Sequence, residues 1–246
     1  MKGIRRLLMI HGISGTLKLL FAVLLGIALY YTPARRRARA ALRDQDLEFD
    51  RKWGVDTSGK LVPEAADVVG ANWDHGCRYQ AVCADSLEQT LSELSLDLHQ
   101  FTFLDFGSGK GRAVLAASQL PFRRVIGVEY SQSLDQVAKR NLKIFPQFAR
   151  KCRDVELVCA DATQFPIPSG PLILFVNNSF GTAIIAEVVK NLEASFQREP
   201  RRIVVLYFNA FFAAGWQQCP MLTEVKATRA VSIYDSMYSG AAAKAA

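Results

Sequence analysis

Three glycines at alternate positions follow directly after a short apolar run in the stretch FLDFGSGKGR, residues 103–112. They are Gly107, Gly109 and Gly111, and Asp105 stands just before them. Glycine is needed where a backbone turns sharply, takes a positive φ and approaches a ligand without a Cβ in the way. An apolar run, a glycine turn and an Ala-, Val- and Leu-rich segment together predict strand, tight turn and helix. We therefore expect a ligand site at the carboxyl end of this strand.

Acidic residues also end the next two apolar runs. The run RVIGVEY, residues 124–130, closes on Glu129, and VELVCA, residues 155–160, is followed by Asp161. Glu129 lies 24 residues beyond Asp105 (129 − 105), close to the step of roughly 20 residues after which a βα unit returns its next strand beside the first. Carboxylates at these strand ends have lone pairs for hydroxyl or amine donors. The pattern favours a nucleoside-like ligand.

Two phosphate-binding motifs fit the glycine spacing poorly. The P-loop needs G-x-x-x-x-G-K-[ST], but Gly109-Lys110 is followed by Gly111, and Leu104 stands where the first glycine belongs. The dinucleotide motif G-x-G-x-x-G has its third glycine where this chain has Arg112. The glycine spacing excludes the P-loop and disfavours the dinucleotide motif. Without a phosphate to meet, Lys110 is expected to be a solvated turn residue.

The remaining pattern, acid-x-G-x-G-x-G with an acid after the next strand, resembles that of class I S-adenosylmethionine-dependent methyltransferases. The resemblance implies S-adenosylmethionine as the cofactor. It implies that Asp105, Gly107 and Gly109 line the methionine part and that Glu129 holds the ribose. The other residues that it places in the cofactor site are Ser108, Gly111, Tyr130, Asp161 and Ala162, of which the last two would meet the adenine.

A closer resemblance is carried by LFVNNSFG, residues 174–181, and by FDRKWGVDT, residues 49–57. Over residues 49–212 the chain is similar to the non-SET histone-lysine methyltransferase-like family and its bacterial relatives. This implies a protein lysine as the methyl acceptor and an enzyme of the EC 2.1.1 class. The catalytic residues that it implies are Asn177, Asn178, Phe180 and Tyr79.

Two features depart from that family, and two alternatives stay open. Relatives have Tyr-x-Pro followed by Ser or Thr where this chain has Tyr79-Gln80-Ala81-Val82, and the basic nucleosome-binding extension has no counterpart, which puts a histone substrate in doubt. An Asn after a strand is also often only a turn or a helix cap. The alternatives are a non-catalytic module that keeps the cofactor fold as a scaffold, and a methyltransferase that acts on a small molecule or lipid.

Apolar runs of strand type alternate with helical spacing from residue 85 onward, and residues 221–234 contain two strand-like runs without a long helix between them. We therefore predict an α/β fold: a doubly wound, mostly parallel, seven-stranded Rossmann-like methyltransferase sheet with an antiparallel C-terminal hairpin, plus an N-terminal apolar helix. The predicted divisions are an anchor with a basic flank (1–43), a lid segment with a leading helix (44–98), the methyltransferase domain (99–238) and a flexible tail (239–246). Trp53, Trp73 and Tyr79 of the lid segment are available to cover a ligand.

Basic charge is concentrated at the N-terminus. The chain has a net charge of +7, but residues 1–43 carry nine Lys or Arg and no acid, which leaves −2 (7 − 9) for the rest. The basic pI therefore reports this segment, and nucleic acid is disfavoured as a partner of the domain. The oligomeric state is left open. Five cysteines without a C-x-x-C pair predict reduced thiols and no metal site.

The apolar residues 7–31 are interrupted by His11 and Lys18. They predict a transmembrane anchor, because a span needs about 20 apolar residues. The Arg cluster at 35–39 opposes a cleaved signal peptide and places the catalytic domain in the cytoplasm. A helix lying in the membrane plane and a soluble cytoplasmic protein are the alternatives.

Overall fold

The computed structural model describes residues 14–16, 18, 21, 32–61, 67–69, 79–210, 213–228 and 230–236. The chain divides into two compact units, Met1–Leu47 and Glu48–Ala246. In the described part of the chain the first long helix is α1 (Pro33–Trp53), and the second unit holds the elements that position the site.

A sheet of seven strands forms the centre of the second unit. Its order is β5-β4-β3-β6-β7-β9-β8, in which β3 to β7 are parallel and β8 and β9 form an antiparallel pair, with β9 antiparallel to β7. The strands are β3 (Thr102–Phe106), β4 (Arg124–Glu129), β5 (Val155–Cys159), β6 (Leu172–Asn177), β7 (Ile203–Phe208), β8 (Thr223–Ala227) and β9 (Val231–Asp235). Two further short strands, β1 (Lys60–Leu61) and β2 (Tyr79–Gln80), pair with each other in antiparallel fashion.

The described helices that follow α1 are α2 (Ala84–Glu93), α3 (Arg112–Ser118), α4 (Gln132–Ile144), α5 (Thr182–Arg198) and α6 (Ala214–Gln217), with short 3₁₀ turns at Leu98–Gln100 and Gln147–Ala149. Of these, α3, α4 and α5 connect successive parallel strands, and β5 leads to β6 without a helix. The Ser131 hydroxyl accepts from the backbone N–H of Leu134 and so caps α4 at its N-terminus. Gly111, in the left-handed conformation, precedes α3.

The strands are apolar on both faces because helices cover the sheet on both sides. On one side Phe103 of β3 packs in a cluster that includes Leu87 of α2 and Val114 of α3. On the other side Leu104 packs in a cluster that includes Ile185 of α5. The two layers of core hold the carboxyl ends of β3, β4 and β6 rigidly at one edge of the sheet.

The predicted fold is confirmed in its sheet, and the strand ends differ from the predicted ones by one or two residues. The antiparallel C-terminal pair is present at the edge beside β7. The leading helix ends at Glu93 and not at residue 98, because Leu94, Ser95 and the following residues turn before the 3₁₀ segment. Ser95 itself is left-handed (φ 49°).

The predicted membrane anchoring and its cytoplasmic topology are wrong. In the described ranges no helix is long and apolar enough to cross a bilayer. Helix α1 has 21 residues, but about half of them are charged in PARRRARAALRDQDLEFDRKW, and such residues are costly in hydrocarbon. Most of the apolar run at 7–31 lies outside the described residues, as does the predicted tail at 239–246.

Candidate active site

The three glycines of the turn after β3 all take positive φ values, of 80° at Gly107, 53° at Gly109 and 86° at Gly111. A Cβ on Gly107 would lie 2.4 Å from both Cβ and Oγ of Ser179, which is far inside van der Waals contact. A Cβ on Gly111 would lie 3.1 Å from the Ala138 Cβ in α4. The turn therefore needs glycine both for its conformation and for its close packing on two neighbouring segments.

Glu129, the last residue of β4, fixes this turn from the adjacent strand. Its Oε2 accepts the backbone N–H of Gly109 at 2.7 Å, and its Oε1 accepts that of Ser131 at 2.9 Å. The side chain is only 4% exposed. Burial raises the pKa of Glu129 to about 7, against the lowering effect of the hydrogen bonds from Ser131 and Gly109. A carboxylate has about four acceptor positions, so Glu129 keeps capacity for hydroxyl donors.

Asp105 and Ser108 bring further polar atoms to the same place. Asp105 is 2% exposed, and burial together with the charge of Glu129 raises its pKa well above the usual value. The Oγ of Ser108 is buried and has no hydrogen-bond partner among the described residues. Buried polar groups without a partner are rare because each costs free energy. This hydroxyl, beside the glycine turn, fits a bound polar ligand.

The strand ends farther along the sheet hold the residues predicted to meet an adenine. Asp161 Oδ1 accepts from both the backbone N–H and the hydroxyl of Thr163, each at 2.8 Å, and Ala162 beside it is buried. The carbonyl of Tyr130 accepts from Val69 N–H at 2.9 Å. These positions remain predictions as ligand contacts, and Asp161 also stabilises its own turn.

The end of β6 presents the asparagine pair. Asn177 is the last residue of the strand, and its Oδ1 accepts from Nδ2 of Asn209 at 2.8 Å. Asn178 takes a left-handed conformation with φ 48°, and its Oδ1 is buried without a hydrogen-bond partner in the described ranges. Ser179 follows and contacts Gly107. Phe180 is 8% exposed and packs mainly in the core, although its Cζ would lie 3.6 Å from a Cβ on Gly107.

Residues 104–204 match the family model described as a methyltransferase domain, Methyltransf_11. The matched part of the chain is similar to a methyltransferase domain, and the cofactor is S-adenosylmethionine, as the resemblance of the glycine turn implied. The residues present fit this cofactor. Glu129 has acceptor capacity for ribose hydroxyls, and Ser108 offers an unpaired hydroxyl in the glycine turn.

Similar solved structures include methyltransferases that differ in what they act on. Precorrin-6y C5,15-methyltransferase from Geobacter metallireducens GS-15 is 18% identical with a TM-score of 0.46, over 70% of this chain and 93% of that one. An RNA methyltransferase from Salinibacter ruber in complex with S-adenosyl-L-homocysteine is 16% identical with a TM-score of 0.43, over 63% and 91%.

A predicted N6-adenine-specific DNA methylase from Listeria monocytogenes str. 4b F2365 is 12% identical with a TM-score of 0.46, over 63% of this chain. This chain spans about half the length of that protein, 51%. No curated protein matches the chain. The histone-lysine methyltransferase-like family is not confirmed by these comparisons, and they name no methyl acceptor.

Tyr79 lies in β2, where its backbone pairs with Leu61. The structure thus connects it to the short β1–β2 sheet, and its role as a catalytic residue stays a prediction. Among the described residues no group of three His, Cys, Asp or Glu side chains is placed to hold a metal ion.

Two expectations about single residues are corrected. Lys110 is not a solvated turn residue, because its side chain is only 12% exposed and its Nζ lies 2.7 Å from Asp56 Oδ1 and 2.9 Å from the carbonyl of Ser58. Trp53, expected to be available to cover a ligand, packs on the ring of Phe145, the residue after α4, with 4.8 Å between centroids. Trp73 lies outside the described residues.

The sequence reasoning missed Asn209 and the residues that hold the glycine turn. Asn209 directly follows β7 and is left-handed with φ 50°. The signal was available, since it stands after a predicted parallel strand, as Asn177 does. The partners of Lys110 could not be found in this way, because Asp56 is 54 residues away in sequence.

Asp67 was missed as well. It accepts hydrogen bonds from the hydroxyls of Ser131 and Ser133 and from the Ser133 N–H. Burial alone would raise the pKa of Asp67, but these hydrogen bonds outweigh burial and lower it. Residues 67–69 thereby bind the chain at the end of β4, next to Glu129. A lone Asp in a polar stretch gives no sequence signal for such a contact.

Proposed function

We propose that this chain methylates an amine, and that the amine is a lysine side chain of a protein. The methyltransferase domain and its cofactor are the basis of this proposal, and the resemblance of residues 174–181 to the lysine-specific family favours the amine. The observation that carries it is the buried Asn178 Oδ1, which has no hydrogen-bond partner among the described residues.

The position of Asn178 suits an acceptor nitrogen. It follows β6, and the next residue, Ser179, packs against Gly107 of the cofactor turn. An amide oxygen accepts a hydrogen bond from a neutral amine and leaves the nitrogen lone pair free. Holding the nitrogen in this way would supply the alignment that an in-line displacement requires.

S-adenosylmethionine supplies a methyl group on a sulfonium centre. When bound, it would give up that methyl group to the lysine nitrogen, with the electron pair of the S–C bond left on sulfur. The amine reaches the site neutral, having lost its proton to solvent, and the methylated product is charged. Asn178 would hold the amine, and Asn209 would hold the amide of Asn177 next to it.

The charge of the domain supports a protein over a nucleic acid as the acceptor. Residues 44–246 carry a net charge of −2 (7 − 9). Proteins that bind nucleic acid gain much of their affinity from neutralising phosphates with Lys and Arg. A slightly acidic domain lacks that contribution.

The experiment labels cell extracts with tritiated methyl groups from S-adenosylmethionine and separates protein, nucleic acid, lipid and small molecules. We expect label in protein, on lysine after hydrolysis. The Asn178→Gly variant keeps the left-handed backbone but removes the amide, and we expect about ten- to a hundredfold less label, the value of a buried hydrogen bond.

The matched control is Ser95→Gly, because Ser95 is also a left-handed non-glycine residue (φ 49°) and lies at the end of α2. We expect full labelling from that variant and unchanged cofactor affinity from both. Label confined to nucleic acid, lipid or small molecules would overturn the lysine proposal. Unchanged labelling by Asn178→Gly would remove Asn178 from it.

A further inference from the structure

Residues 50–58, which contain most of the FDRKWGVDT motif, bind directly to the cofactor turn, residues 107–111. The Lys110 Nζ reaches Asp56 Oδ1 at 2.7 Å and the Ser58 carbonyl at 2.9 Å. We propose that residues 50–58 are a positioning element that holds the cofactor turn in its binding conformation and thereby sets the affinity for S-adenosylmethionine. This inference concerns the cofactor and does not depend on which acceptor is methylated.

Asn141 of α4 joins the two segments from a third element. Its Oδ1 accepts from the N–H of Asp56 at 2.9 Å, and its Nδ2 donates to the carbonyls of Asp56 at 2.8 Å and Lys110 at 2.9 Å. The side chain is buried. One buried amide thus uses both its donors and its acceptor on the backbone of the two segments.

The residue after the turn is held by the same segment. Arg112 is buried, its Nε donates to Thr57 Oγ1 at 2.7 Å, and its guanidinium lies 3.6 Å from Asp50 Oδ1. Asp50 in turn accepts from the backbone N–H groups of Thr57 and Ser58 at 2.8–2.9 Å. A charged pair in such a network is sensitive to loss of either partner.

Apolar packing places the segment on the helices that flank the turn. Val55 is buried in a cluster with Leu115 of α3 and Phe145 at the end of α4, and Trp53 packs against that cluster. The segment is therefore a fixed part of the domain. Its contacts reach the turn through Lys110 and Arg112, the two residues on either side of Gly111.

A glycine turn gains the most from such support. Gly107, Gly109 and Gly111 all have positive φ. A glycine has many other accessible conformations, and fixing each one costs entropy. Glu129 holds Gly109 from β4, but Lys110 and Gly111 have their support from α4 and from residues 50–58. If that support is weakened, the turn must become ordered when S-adenosylmethionine binds, and the entropy lost in that step lowers the affinity.

The test is a double-mutant cycle on the full chain with Lys110→Met, Asp56→Asn and the double variant. The affinity for S-adenosylhomocysteine, which is not turned over, is measured by calorimetry beside the melting temperature. We expect each single variant to bind S-adenosylhomocysteine about three- to fivefold more weakly, because a partly exposed ion pair contributes little free energy. The double variant should bind no more weakly than either single variant.

Lys190→Met is the matched control, because Lys190 pairs with Glu187 on the exposed face of α5 at 3.3 Å. It should leave the affinity unchanged. The exchanged pair Lys110→Asp with Asp56→Lys should restore part of the affinity. Melting temperatures that fall with no change in affinity would overturn the proposal, because the contact would then be structural alone.

Asn141→Ala is the stronger variant, since it removes three hydrogen bonds at once. We expect the affinity for S-adenosylhomocysteine to fall by at least about tenfold, which is the effect expected from losing one or more hydrogen bonds. If this variant does not fold, the Lys110→Met cycle still decides. A failure of lysine labelling would leave this result untouched, because the affinity is measured without an acceptor.

Discussion

The two ends of the site differ in how completely their polar groups are bonded within the protein. At the cofactor end, Glu129 and Asn141 use their oxygens on backbone N–H groups of the turn and of residues 50–58. At the acceptor end, Asn178 has a buried oxygen with no partner among the described residues, and Asn209 is exposed. The comparison teaches that the backbone of the cofactor turn is held in advance by buried side chains of neighbouring elements, while Ser108 Oγ stays open there for a ligand. At the acceptor end the open group is the neutral amide oxygen of Asn178.

The largest expected effect comes from Gly107, where the two ends touch. In Gly107→Ala the new Cβ would lie 2.4 Å from Ser179, and φ is 80°. We expect cofactor binding to fall by more than about a hundredfold, because steric overlap of 1–3 kcal/mol adds to a left-handed cost of 1–2 kcal/mol. Calorimetry with S-adenosylhomocysteine measures it.

Gly59→Ala is the control for Gly107→Ala. Gly59 has nearly the same φ of 88°, but no atom of the described residues lies within 4 Å of its Cβ position. It should lose about 1–2 kcal/mol of stability and keep its cofactor affinity. Equal affinities for both variants would show that the two ends do not meet at Gly107.

The second effect in size is the dependence of cofactor affinity on pH. Because the pKa of Glu129 in the ligand-free protein is about 7, its carboxylate is increasingly protonated below that value. A protonated group is a poorer partner for ribose hydroxyls and for a cationic sulfonium. We expect affinity to fall by up to about tenfold for each pH unit below 7, and Glu129→Gln to bind weakly at every pH.

Stability should change in the opposite direction. Burial raises the pKa of Glu129 from 4.5 to about 7, so between these values the folded protein binds more protons than the unfolded chain. The contribution of Glu129 to the stability of the folded protein is therefore complete below pH 4.5 and is lost as the pH rises through 7. Between about pH 5 and about pH 8 the natural protein should lose on the order of 1–3 kcal/mol of stability relative to Glu129→Gln, whose side chain does not titrate.

Denaturant unfolding without ligand measures this difference, and Glu88→Gln, at an exposed position of α2, is the control. If the stability of the natural protein does not fall relative to that of Glu129→Gln over this pH range, the raised pKa is contradicted.

The smallest effect is expected at Asn209. Asn209→Gly keeps the left-handed φ of 50° and removes the donor to Asn177 Oδ1. Because this hydrogen bond is exposed, we expect kcat/KM for the acceptor to fall only about two- to fivefold, with unchanged cofactor affinity. Steady-state kinetics against the labelled acceptor measures it. A loss of cofactor affinity instead would assign Asn209 to the other end of the site.

The sequence by itself determined the sheet and the turn, and its resemblance to class I methyltransferases indicated the cofactor. Local rules were enough for the first two: apolar runs of strand length alternate with helical spacing, and Asp105, Glu129 and Asp161 lie at or just after the ends of strands whose carboxyl ends meet at one edge. Glycine at 107, 109 and 111 indicated positive φ, which all three have. Each of these inferences depends on residues that are close in sequence or on a regular repeat.

Only the tertiary structure decided what Lys110, Arg112 and Trp53 do and which asparagine keeps a free oxygen. Lys110 seemed solvated because its partner Asp56 is 54 residues distant, and long-range pairs leave no local pattern. Burial is likewise a property of the assembled layers: Phe180 packs in the core and Asn178 Oδ1 is enclosed only after β6 and α5 dock. The side-chain partners that lie far apart in sequence could be found only in the tertiary structure, whereas the order of the elements could be predicted without it.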